Sequence, residues 1–182
     1  LRARMEQGGA KRVAGFIAGF PDPGERRELW SFAQKAFSQR EWGRESGGKS
    51  FDSMIELVRE GIQEGLRQAA AATDPQVSWK ATEFANILAF NLSADLCECW
   101  PGDELPREPH HLDTGLRLAE DCVRWRRELG KPPERRALAY WALGMHQFSL
   151  HHHLEALGAW ETALRLVIEE RKSPEPFFLQ IF

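Results

Sequence analysis

Apolar residues recur along this chain only at three- and four-residue steps, and proline or glycine stands where each recurrence stops. That period belongs to the α-helix, and no stretch keeps the two-residue alternation of a half-buried strand. The sequence therefore predicts an all-α fold with its boundaries written in breakers and caps. Asp22-Pro23-Gly24-Glu25 sets an N-cap aspartate before a proline at the first helical position, so a helix starts there and runs to about Trp42. Gly43–Ser50 reads as a glycine-rich loop, with Ser50 capping a second helix that carries Ile55, Val58, Ile62 and Leu66. Asp74-Pro75 opens a third, ending near Trp100. Phe84, Ile87, Leu88, Phe90, Leu92 and Leu96 surround it almost entirely, which predicts a buried central helix.

Pro101–Pro109 is a turn-rich linker, followed by a fourth helix from about Leu112 to Leu129 that stops at Gly130. A fifth begins at Pro133 and a sixth near His152, the latter with Ala156, Leu157, Trp160, Ala163, Leu164 and Val167 on one face. The 182 residues suit one domain with a real core. The expected organisation is an N-terminal segment at 1–21, helix pairs over 22–72, 75–130 and 133–171, and an apolar tail at 172–182. Val13–Phe20 reads as a short packing segment within the first of these, because Pro21-Asp22-Pro23 follows it in place of a cleavage site.

Net charge is −3, from 24 basic and 27 acidic side chains, which gives no general attraction to nucleic acid or to an anionic membrane. No apolar stretch reaches membrane-spanning length. Three cysteines, Cys97, Cys99 and Cys122, cannot all pair with one another, so the expectation is thiols in a cytoplasmic setting.

Self-similarity along a chain fixes its architecture, because repeats stack as units. In the last two helices Tyr140, Leu143-Gly144, Ala156, Trp160 and Ala163 follow the aromatic, Leu-Gly, Ala, aromatic, Ala order of the tetratricopeptide repeat, which this segment resembles. Gly144 and Ala156 are small where two antiparallel helices would approach closely. Gln147 stands where the family usually has an aromatic, with Phe148 beside it. A looser copy sets Gly115, Ala119 and Cys122 at the spacing of Ala156, Trp160 and Ala163, with Leu88-Ala89 on the partner helix. For the first pair, Gly61 and Gly65 are the hints of close packing. The resemblance implies antiparallel helical hairpins stacked as a short right-handed superhelix that binds a partner on its concave face.

Several motifs suggest chemistry. Gly43–Ser50 satisfies the phosphate-loop expression G-x-x-x-x-G-K-[ST], but a polar helical segment precedes it where the motif needs a strand. The histidines at 110, 111, 146, 151, 152 and 153 lack a supporting Glu-x-x-His within a helix, so no metal is assigned. Cys97-Glu-Cys99 falls at the end of the third helix, where side chains two residues apart diverge unless the helix unwinds. No thiol has a His–Asp or His–Asn signature nearby, so no catalytic residue and no cofactor are assigned, and the chain reads as non-enzymatic. Arg124, Arg126, Arg127, Lys131, Arg135 and Arg136 surround Trp125, which leaves a helical nucleic-acid-binding domain as the second function reading.

The first reading is a scaffold for a protein or peptide partner. On the fifth helix Leu138, Trp141, Met145 and Phe148 recur on a face distinct from Tyr140 and Gly144, and on the third Asn86 would look the same way. Together they form the candidate partner-binding site. Members of the family that hold a peptide carboxylate use polar and basic residues there. Trp141 departs from that pattern and favours an apolar or helical peptide. Phe177–Phe182 is itself such a peptide, expected either to cover the exposed end of the sixth helix or to dock on a neighbouring chain as a homodimer.

Overall fold

The computed structural model describes residues 1–38, 51–100 and 106–170, all of whose regular structure is helical. The helices are α1 (Arg2–Ala18), α2 (Pro23–Ser38), α3 (Phe51–Ala71), α4 (Pro75–Leu96), α5 (Pro109–Glu128), α6 (Pro133–Ser149) and α7 (His153–Glu170). The Gly43–Ser50 motif and the Phe177–Phe182 tail lie outside the described residues. No described helix is long and apolar enough to cross a membrane. The chain divides into two compact units, Leu1–Asp95 and Leu96–Phe182.

The breakers act locally, as their chemistry requires. The Asp22 carboxylate accepts the backbone N–H of Glu25 at 2.7 Å and fixes the start of α2. Asp74 does the same for Gln76 at 2.8 Å ahead of α4. At α5 the imidazole Nδ1 of His111 accepts the Glu108 backbone N–H at 3.0 Å, so this buried histidine serves as a cap. Gly130 takes φ +62 after α5, the left-handed geometry that a helix terminator favours.

In the N-terminal unit α3 packs against α1 and α2. Ala10, Val13 and Ile17 of α1 are buried at steps of three and four, so the segment expected only to pack is a full helix. Six helices were read from the sequence and seven are described. The run Val13–Phe20 is a short apolar stretch, whereas the buried helical stripe begins at Ala10, just after Gly8-Gly9. Gly61 and Gly65 are indeed points of close approach. Their neighbours are Leu88 and Phe84 of α4 as well as Trp30 of α2, so they join α3 to α4 besides serving the first pair. Gln34 of α2 donates to the Leu88 carbonyl at 2.8 Å and accepts from Asn91 at 3.3 Å, which ties α2 to α4. Helix α4 is not apolar-packed all round, for Ile87 is exposed.

A polar knot closes one end of this unit. Arg26 donates to Glu64 at 2.8 Å and to the Phe20 carbonyl at 2.7 Å. Gln68 donates to the same carboxylate at 2.7 Å, and Arg67 to its other oxygen at 3.2 Å. Burial alone would push the Glu64 carboxyl up; the hydrogen bonds from Gln68, Arg26 and Arg67 outweigh it and hold it below its ordinary value.

In the C-terminal unit α5, α6 and α7 reverse direction in turn. Near one end of the α5–α6 pair Gly115 faces the His146 ring, and near the other Arg126 donates to the Arg135 carbonyl. In the α6–α7 hairpin Ala137, Leu166 and Val167 form a buried cluster with Tyr140 and Ala163 against it. A Cβ on Gly144 would come within 3.0 Å of the Trp160 indole, so only glycine lets α6 meet that ring. The turn between them sets His151 at φ 63, with His152 and His153 exposed beside it.

Candidate functional site

Helix α7 buries Ala156, Ala159, Leu166 and Val167 against its neighbours. Its opposite side is apolar too. Leu154, Leu157, Leu164 and Ile168 are 83%, 53%, 59% and 51% exposed, and Glu161 lies exposed between them. The five positions alternate steps of three and four residues, the heptad seam by which one helix receives another. Leu157 and Leu164 were expected on the hairpin face. They point away because the small residues Ala156, Ala159 and Ala163 take the close contact instead, and a helix can present only one stripe to its partner.

Of the α6 residues singled out from the sequence, Phe148 comes near the start of α7. Phe148 is half exposed, with ring centroids 5.3 Å from His153 and 5.8 Å from Trp160. Trp160 donates its indole N–H to the Trp141 carbonyl at 3.4 Å, and the Trp141 ring lies 6.0 Å from that of Trp100. Leu138, Trp141 and Met145 are half-buried along the same side of α6. Asn86 belongs to the N-terminal unit, where it is buried and donates to Glu83 at 3.0 Å.

Two residues of the basic stretch are engaged within the fold, while Arg127 and Arg135 are exposed. Arg126 is buried against the Arg135 carbonyl, and Arg124 pairs with Asp121 while covering the Trp125 ring at 5.6 Å. Trp125 is itself buried, so it offers no face for a base to stack on.

A second cluster joins the Cys97-Glu-Cys99 motif, which the sequence singles out, to His146, a link it does not show. Helix α4 ends at Leu96, so Cys97-Glu98-Cys99 follows in non-helical backbone. Cys97 Sγ stands 3.4 Å from His146 Nε2, both groups buried. A hydrogen bond with Cys97 holds the Cys99 thiol down to about 7 from its ordinary 9.0. Burial opposes this, while the backbone N–H of Cys99 and the Arg107 charge assist. A Cβ on Gly115 would come within 3.0 Å of three atoms of the His146 ring, so this glycine makes the room the imidazole occupies. Cys97, Cys99 and Cys122 are all thiols.

No family model, curated protein or solved structure matches this chain.

Proposed function

We propose that this chain is a non-enzymatic protein-interaction module, with α7 as its docking helix and an amphipathic helix of a partner protein as its ligand. The observation that carries this reading is the exposed seam of Leu154, Leu157, Leu164 and Ile168 on a helix already packed on its other side. Isolated exposed leucines are commonplace, but four at heptad spacing are a surface without its complement among the described residues. The spacing selects a helix over an extended peptide, because only knobs at three- and four-residue steps match the holes. Glu161 at the centre of the seam calls for lysine or arginine on the partner. Phe148, beside Trp160, extends the surface toward Trp141 and Met145 on α6.

A tetratricopeptide-like hairpin is the architecture we propose for α6 and α7, supported by the close approach of Gly144 to Trp160. The stacking of further pairs into a superhelix, and a cytoplasmic location, belong to the same proposal.

The test uses a labelled amphipathic peptide with leucine at the seam positions and lysine opposite Glu161, titrated by fluorescence anisotropy. Saturable binding that weakens at least tenfold in a Leu157→Lys, Leu164→Lys variant supports the reading. Equal binding by both chains refutes it. Self-association of the wild type through the same residues, or through Phe177–Phe182, would show in sedimentation and replace the foreign helix by a second copy.

A further inference from the structure

The termination of α4 at Leu96 releases Cys97 and Cys99 from helical geometry, in which side chains two residues apart diverge. Outside a helix, residues i and i+2 can bring their Cα atoms within the roughly 4.4–6.8 Å that a disulfide spans. The two cysteines stand two residues apart in this irregular backbone, and Cys97 is the chief influence lowering the Cys99 thiol. Their surroundings differ in a useful way. Cys97 is 1% exposed and abuts His146, whereas Cys99 is only half-buried and lies near the Arg107 cation.

We propose that Cys97 and Cys99 are a reversible thiol–disulfide pair, in which Cys99 attacks a low-molecular-weight disulfide and Cys97 closes the ring with His146 as base. Exposure sets the order of events, since only Cys99 can meet a reagent from solvent. Its thiolate attacks one sulfur of the incoming disulfide, forms a mixed disulfide, and expels the other half as a thiolate that takes a proton. Cys97 then transfers its proton to His146 Nε2 and attacks the Cys99 sulfur. The second half leaves as a thiol on receiving that proton. One external disulfide and two protein thiols thus become one protein disulfide and two external thiols, and an excess of external thiol reverses the exchange. The proton transfer needs the tautomer with Nδ1 protonated, which leaves Nε2 as acceptor. The Cys99 thiol, depressed toward neutrality, supplies thiolate for the first step. A pair of this kind is also the sort of disulfide that a reducing compartment tolerates, because it is transient.

The experiment equilibrates the full chain in glutathione and glutathione disulfide at graded ratios, quenches with acid and reads intact and peptide masses. The expected product is a monomer lighter by two hydrogens, with the bond within the Cys97–Cys99 peptide, returning to dithiol on excess glutathione. Cys97→Ser should instead halt at the glutathione adduct on Cys99, and Cys99→Ser should lose at least nine-tenths of the reaction. Cys122→Ala should behave as wild type. A stable adduct on wild-type Cys99, an intermolecular dimer, linkage to Cys122, or inertness at every ratio would each overturn the proposal. His146→Gln, checked for a native helical spectrum, should slow ring closure at least tenfold while leaving adduct formation unchanged. An unchanged closure rate would remove His146 from the step. Because it is read in the absence of any partner, this result stands or falls separately from the docking face on α7.

Discussion

Cys97 Sγ lies 3.4 Å from Nε2 of His146, although the first follows the end of α4 and the second sits in the last turn of α6. Gly115 of α5 makes the meeting possible by presenting bare backbone to the imidazole. Within the C-terminal unit, one thiol–imidazole contact thus depends on bare backbone in α5.

Adding a methyl group at that point should be felt at once. Gly115→Ala forces a fully buried ring to move, and overpacking of this kind costs about 1–3 kcal/mol. Gly158→Ala is the internal control, since nothing lies within 4 Å of its Cβ. There the better helix former should stabilise by about 0.5–1 kcal/mol. Urea unfolding of both variants checks the contrast, and equal effects would contradict the packing described.

Thiol reactivity should carry the signature of Cys99. Its alkylation rate should rise with pH about a midpoint near 7. At pH 7 it should exceed that of an ordinary thiol only about five- to eightfold, because nucleophilicity falls as thiolate becomes easier to form. Cys97→Ala removes the main cause and should move the midpoint up toward the ordinary range. Iodoacetamide kinetics followed by peptide mapping give both values.

The polar knot around Glu64 predicts a pH-dependent stability. A carboxyl whose folded pKa lies below its unfolded value stabilises the fold above the unfolded value, and loses that contribution as pH falls through the folded one. Glu64→Gln should therefore cost about 1–2 kcal/mol near neutrality. The gap from wild type should close as pH drops below 4.5. Denaturant melts at several pH values test it; a gap that widens in acid would give the wrong sign.

Leu157→Lys with Leu164→Lys should leave unfolding within about 0.5 kcal/mol of wild type, since both side chains are more than half exposed. A large loss of stability in urea melts would place them in a core and remove the seam.

The helical class and most helix starts were legible because caps and prolines act over three or four residues, as at Asp22-Pro23 and Asp74-Pro75. Gly144 was legible for the same reason, as part of a motif confined to one hairpin. Helix α1 was not, because its stripe of Ala10, Val13 and Ile17 is small and threaded among glycines. The seam on α7 was hidden by degeneracy. A helix rich in leucine offers two apolar faces, and only packing decides that the alanine face goes inside. The thiol–imidazole contact was beyond local reading altogether, since no spacing rule connects residues 97 and 146.

The docking face on α7 is tested most directly by adding the leucine-seam peptide to isotopically labelled chain and following the backbone amide resonances. The account expects shifts along Leu154–Ile168 and around Phe148, with α2, α3 and α4 unmoved. Shifts centred on α3 or α4, or none at saturating peptide, would contradict it.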